Sequence, residues 1–334
     1  MSWLRSMRWS PIFLEPSAIR LLMAINPLKV FLSADETLVV YDNSVDTLYA
    51  YTFDGNLIGT IKHISAVNKW QDHIIVYSAE EGKIIILNGN LEKEDEIKVD
   101  VPFIPKHIAL TADGYMVCMD KECRLFNAGE GKAKRFEFKQ PVTSIAGSDS
   151  FFAIGREEGW VTIVDKSIVL TSHKLPRGYS AENFTVAYPT TVKAKGNKAI
   201  ASSFTGVAHI QDAKIIYDAE ISDDLLIDVS VDDEHFYHLI HTLDNDEGYV
   251  IITSTRVYLD DNFFDPVIED LYYPDIGLSI DVSPKYLAIM YLQAVAILDK
   301  SSWQRVANIP LTQIAKSEKA RFFVNLANNV PYNL

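Results

Sequence analysis

The chain has 334 residues, 48% hydrophobic and 23% charged, with a net charge of −14 and two cysteines. That composition belongs to a globular protein with a sizeable core, and it excludes a low-complexity chain, a multi-disulfide scaffold and a multi-cysteine metal or iron–sulfur protein. The acidic balance, with a pI near 5.0, also disfavours a general nucleic-acid binder.

Residues 1–27 read as an N-terminal extension. Arginines precede apolar residues there, as in a signal peptide, but Pro11, Glu15, Pro16 and Arg20 interrupt the apolar run. No stretch approaches the roughly 20 apolar residues of a membrane span, so a soluble chain is expected. From residue 28 short β-rich runs follow one another at a regular interval. Buried strands are predicted to begin at Leu38, Ile74, Met116, Phe152, Ala199, Phe236 and Leu287, spaced 36 to 51 residues apart. That is close to the roughly 40 to 50 residues of a four-stranded repeat unit.

Around each of these strands the order is the same: strand, turn, strand, hairpin, strand, turn, strand. First strands such as KHIALTADG, TSIAGSDS, LIDVSVDD and LSIDVSPK end in the Asp, Ser, Gly and Pro residues that reverse a chain. Hairpins follow at Gly82, Gly159, Gly206 and Gly248, where glycine supplies the positive φ of a tight turn. Fourth strands, including NLIGTIKH, KAKRFEFK, IVLTSHKLP and WQRVANIPL, are expected to be polar outer edges. Helical periodicity is weak, so nothing supplies the crossover helices of a parallel α/β fold.

Individual units carry their own chemistry. In the third, a two-residue hairpin at Asp120 and Lys121 would set Cys118 opposite Cys123, although free thiols are expected in a reducing intracellular setting. The same unit is basic, with Lys121, Arg124, Lys132, Lys134, Arg135 and Lys139 around Phe136 and Phe138, a pattern compatible with single-stranded nucleic acid. Strand alternation explains it without a ligand, by turning both phenylalanines to one face. In the sixth unit His235, His238 and His241 recur at every third position, which puts His238 on the opposite face from the other two and spoils a common metal site. No cofactor is expected.

Charge is concentrated in that sixth unit. Residues 218–275 hold 17 Asp and Glu against Arg256 alone, so the remainder of the chain is close to neutral. A field of that kind steers basic partners; its plainer reading is a set of solvated turns. Within it, Asp260, Asp261, Phe263, Phe264, Asp265, Glu269, Asp270, Tyr272 and Tyr273 interleave carboxylates with aromatic rings, the composition of a partner-binding hot spot.

Residues 279–311, SIDVSPKYLAIMYLQAVAILDKSSWQRVANIPL, resemble a blade of the WD-repeat-like propellers, and GWVTIVD at 159–165 resembles the glycine-led third strand of such a blade. The resemblance spans residues 28–312 and implies an all-β fold, a single seven-bladed β-propeller of four-stranded antiparallel blades. Neither the Gly-His nor the Trp-Asp signature is present, so the polar tetrad of strict WD repeats is not carried over. Residues 313–334 are left as a C-terminal tail. Its Ala320–Leu326 stretch, or Arg8–Glu15 at the other end, is expected to cover the ring seam.

No nucleophile elbow, phosphate-binding loop, dinucleotide fingerprint or paired CxxC occurs. The expected function is a non-catalytic, cytoplasmic protein-interaction scaffold, a subunit of a larger assembly that binds a basic protein partner and neither nucleic acid nor membrane. The alternatives are a hydrolase- or lactonase-like propeller with a metal in its central channel, and a nucleic-acid-associated propeller.

Overall fold

The computed structural model describes residues 22–128, 132–166, 168–176, 188–220, 224–242, 248–254 and 276–328. They form an all-β propeller of antiparallel sheets, each made of strands consecutive in the chain. Sheet 1 holds β1 (Leu28–Leu32), β2 (Thr37–Asp42), β3 (Thr47–Thr52) and β4 (Leu57–Lys62). Sheet 2 holds β5 (Ile64–Trp70), β6 (His73–Ser78), β7 (Lys83–Leu87) and β8 (Lys93–Lys98). Sheet 3 holds β9 (His107–Thr111), β10 (Gly114–Met119), β11 (Glu122–Asn127) and β12 (Lys134–Glu137). Sheet 4 follows with β13 (Val142–Gly147), β14 (Phe151–Arg156), β15 (Trp160–Asp165) and β16 (Ile168–Lys174), and sheet 5 with β17 (Thr191–Lys195), β18 (Lys198–Ser203), β19 (Gly206–Gln211) and β20 (Lys214–Glu220). Sheet 6 has three described strands, β21 (Asp224–Val231), β22 (His235–Thr242) and β23 (Gly248–Ser254). Sheet 7 has β24 (Gly277–Val282), β25 (Tyr286–Tyr291), β26 (Ala294–Asp299) and β27 (Arg305–Pro310).

The second strand of every sheet lies between two others and between neighbouring sheets, which is why it reads as an unbroken apolar run. Leu38, Ile74, Met116, Phe152, Ala199, Phe236 and Leu287 are all buried. Glycine turns form where a left-handed residue is needed, at Gly82 (φ +64°) and Gly159 (φ +79°). Inner strands converge on the axis, and Gly147 of β13 lies so close to the Leu110 carbonyl of β9 that any Cβ would collide with it.

The C-terminal tail is helical rather than extended. After α1 (Leu311–Ile314), α2 (Glu318–Asn328) begins where the Ser317 hydroxyl accepts the Ala320 N–H at 3.0 Å. Its buried face, Ala320, Phe323, Val324 and Ala327, shares one core with Leu38, Val40 and Tyr51 of sheet 1 and with Leu287 and Ile289 of sheet 7. Polar bonds fasten the same join: Gln313 Nε2 donates to the Gly55 carbonyl at 2.8 Å, and Ser317 Oγ meets Ser44 Oγ at 2.9 Å. Arg8–Glu15, the other candidate cover, lies outside the described residues. No helix among the described residues is long and apolar enough to cross a membrane.

Cys118 and Cys123 pair in register, as do Met119 and Glu122, so the hairpin forms at the expected place. Free thiols do not: the two sulfurs are joined, and the bond is buried. The two Cα atoms are 4.1 Å apart, the close approach of a non-hydrogen-bonded cross-strand pair.

Candidate functional site

The inner strands enclose a central channel with a cavity of about 360 Å³. Inner-strand side chains bridge successive sheets across its wall. Asn68 of β5 donates from Nδ2 to the carbonyls of Ile108 on β9 (2.8 Å) and Ile145 on β13 (2.7 Å). On β13, Ser144 Oγ accepts the Val192 N–H of β17 at 2.9 Å. Asp228 of β21 accepts the Ile280 N–H of β24 at 2.9 Å, and Asp281 of β24 accepts the Leu32 N–H of β1 at 2.7 Å. The last two repeat one device, because Asp228 and Asp281 occupy the same place in the twin sequences Ile227–Ser230 and Ile280–Ser283.

Lysines complete this girdle. The Lys69 ammonium meets Asp281 Oδ2 at 3.0 Å and also donates to the Val282 carbonyl; Lys193 meets Asp228 Oδ2 at 3.1 Å and donates to the Ile280 carbonyl. Lys195 pairs with Asp72 at 2.8 Å. Burial lowers the Lys69 pKa from its ordinary value, while Asp281 pulls it back up. Each of these carboxylates is already held by an ammonium, an arrangement made for salt bridging and a poor one for a divalent ion. Among the described residues no cluster of His, Cys, Asp and Glu has the makings of a metal site.

Lys29 of β1 differs. Among the described residues its ammonium makes no hydrogen bond and no ion pair, although the residue lines the channel. Water reaches it along the channel, yet protein surrounds it, and this desolvation pushes its pKa down; Asp228 opposes that shift and Lys193 adds to it. His107, at the start of β9, is held down at about 4 by burial and by Lys29, against a hydrogen bond to the Val142 carbonyl.

The predicted docking residues Asp260, Asp261, Phe263, Phe264, Asp265, Glu269, Asp270, Tyr272 and Tyr273 lie outside the described residues. Part of the surrounding acidic run is not free to face a partner. Asp228 is bound in the girdle, and Asp232 accepts from Tyr237 Oη (2.6 Å) and the Lys300 ammonium (2.5 Å). The three histidines do not converge either: His238 is buried, with its Nε2 2.9 Å from His209 Nε2 of β19, while His235 sits near Asp232. In sheet 3, Arg124 and Arg135 are taken up by Glu122 at 2.8 and 3.1 Å. Phe136 is buried and Phe138 lies under the Arg156 guanidinium, so neither ring stands out as a base-stacking platform.

The outer strands hold a feature that strand alternation in the sequence does not report. In β4, β16, β20 and β27 a β-bulge leaves one residue without a cross-strand partner, respectively Ile58, Leu170, Ile216 and Val306. All four are exposed aliphatic residues. On β16 the exposure extends to three in a row, Ile168 at 61%, Val169 at 45% and Leu170 at 49%, where a polar edge was expected.

No protein-family model matches the chain, and no curated protein matches it in sequence. Among solved structures it is similar to Hsv2 of Kluyveromyces lactis, at 10% identity and a TM-score of 0.49, over 85% of this chain and 99% of that one. Hsv2 of Kluyveromyces marxianus gives 12% identity and a TM-score of 0.47, over 86% and 99%.

Proposed function

We propose that the protein is a non-catalytic interaction platform whose rim holds other proteins. The observation that carries this reading is the run Ile168, Val169 and Leu170, exposed on the free edge strand of sheet 4. An edge strand offers unpaired backbone donors and acceptors, and proteins normally guard it with charge; aliphatic residues there suit a partner that covers the edge or adds a strand to it. The exposed bulge residues at equivalent places in sheets 1, 5 and 7 support the same reading.

In this reading residues 28–312 form one seven-bladed ring, with residues 1–27 as an N-terminal extension and 313–334 as a C-terminal tail. The segment containing Asp260, Asp261, Phe263, Phe264, Asp265, Glu269, Asp270, Tyr272 and Tyr273 is a second contact, for a basic protein, its carboxylates speeding encounter and its rings supplying burial. A cytoplasmic place in a larger assembly fits this role.

The test is affinity capture from the native source with three forms of the chain: unaltered, Ile168→Asp with Leu170→Asp, and Asp260→Asn with Asp261→Asn, Glu269→Gln and Asp270→Asn. A protein retained by the first and lost from the second, at an unchanged melting temperature, supports the rim contact. Loss or slower association with the third supports the acidic one. If both folded variants capture everything that the unaltered chain captures, the platform reading fails.

A further inference from the structure

Arg156, at the end of β14, is 6% exposed, and its guanidinium donates from Nη1 to Gln140 Oε1 at 3.0 Å and from Nη2 to Ser172 Oγ at 2.6 Å. Its Nε is buried with no partner. Burial lowers its pKa with no neighbouring charge acting on it, so Glu157 and Glu158, next in the chain, leave this cation uncompensated. The rings of Phe138 and Trp160 lie 5.0 and 5.4 Å from the guanidinium and hold it without supplying an acceptor.

Ser172 is the opposite case, an exposed hydroxyl on the edge strand β16. Register sets Arg156 beside Trp160, Trp160 beside Lys174 and Thr162 beside Ser172, so Arg156, Lys174 and Ser172 share one face of sheet 4. The Lys174 ammonium rests over Trp160 and has no ion pair among the described residues. Because the Leu175 N–H is bonded to the Gly159 carbonyl, alternation turns the Ser172 backbone away from β15 and leaves an open, extended strand around the hydroxyl.

We propose that Ser172 is a phosphorylation site, with Arg156 and Lys174 as the cations that receive the phosphate. The Ser172 oxygen attacks the terminal phosphorus of a nucleoside triphosphate held by a protein kinase; the Oγ–P bond forms as the bridging P–O bond breaks, the nucleoside diphosphate leaves, and the hydroxyl proton passes to the kinase. The product carries three acceptor oxygens one bond beyond an atom already 2.6 Å from Nη2, and its negative charge offsets a buried cation that nothing else neutralises. A consequence for the rim rests on the reading given above. The same charge stands beside Ile168, Val169 and Leu170 and opposes an apolar partner covering them.

The full chain is incubated with extract of its native source and a nucleoside triphosphate, and its peptides are sequenced by mass spectrometry. Separately, phosphoserine is placed at position 172 by codon suppression and its phosphate is titrated by ³¹P NMR. Phosphate is expected on Ser172 in the first experiment. In the second, the phosphate pKa is expected at least about one unit below its value in urea, where it takes the ordinary value of about 6. Arg156→Gln is expected to remove most of that difference, and the urea comparison keeps the test decisive should that variant fold poorly. An unmodified Ser172, phosphate on Thr171 in its place, or an equal phosphate pKa in the folded and unfolded chain overturns the proposal. Affinity capture separates it from the rim reading. Proteins lost from Ile168→Asp with Leu170→Asp but kept by the phosphoserine form overturn the regulatory consequence; proteins kept by both overturn the rim contact and leave the phosphate site standing.

Discussion

Lys69 and Asp281 stand 212 residues apart in the chain and 3.0 Å apart in the fold. Their bridge ties the second sheet to the seventh across the channel, and the same carboxylate oxygen takes the Leu32 N–H of the first sheet. One side chain thus serves three sheets. Asp281→Ala is expected to cost about 3–5 kcal/mol, because it strands the buried Lys69 ammonium and a backbone donor together. Pairing it with Lys69→Met should recover a large part of that loss, which urea denaturation of the two variants measures. Equal stability of the single and double variants would mean that the bridge contributes nothing specific.

Acid should weaken the fold from the ordinary histidine range downward. His107 is held at about 4 in the folded chain, and burial, with repulsion from His238, keeps His209 well below 6.5. As pH falls through 6.5 the unfolded chain takes up protons that the folded chain refuses, so stability declines there and goes on declining toward pH 4. The urea midpoint is expected to drop over that interval, and His107→Gln to flatten the drop. A flat wild-type curve from pH 7 to pH 4.5 would contradict it.

Thiol titration in denaturant is expected to find no free thiol until a reductant is added, since Cys118 and Cys123 are joined. The loop they close spans only five positions, so reduction should lower stability by no more than roughly 2 kcal/mol. A titration showing both thiols free in purified protein would restore the reduced form.

Adjacent phenylalanines of α2 make a paired test of the seam. Phe323 is 0% exposed and Phe322 is 66% exposed. Phe323→Ala is expected to cost about 3–5 kcal/mol. Phe322→Ala should stay within about 0.5 kcal/mol, as exposed positions do. Melting temperatures of the two variants decide whether α2 is part of the fold or an appendage to it.

The strands were legible wherever burial was complete, because a strand such as Thr37–Asp42, covered on both faces, leaves an apolar run that no turn residue interrupts. The apolar positions 320, 323, 324 and 327 also follow helical spacing, at i, i+3, i+4 and i+7, but a single stretch of eleven residues carries too few repeats of that period to stand out against the β-rich chain around it. The girdle was harder. Its partners are fixed by ring closure, over separations that no local pattern reports, although the twin Ile-Asp-Val-Ser sequences at 227–230 and 280–283 marked two of its members. Bulges hid the exposed edge of β16, since one extra residue changes which side chains face outward, and alternation counted from the sequence then goes wrong.

Every described sheet is made of consecutive strands, so the first sheet lends no strand to the last. The join between them consists of side chains, the bond from Leu32 to Asp281, and a helix laid over the gap. The ring is in this respect a split washer with a latch. It can part there without breaking any β-ladder, so opening the circle requires only that the latch lift and its side-chain bonds be given up.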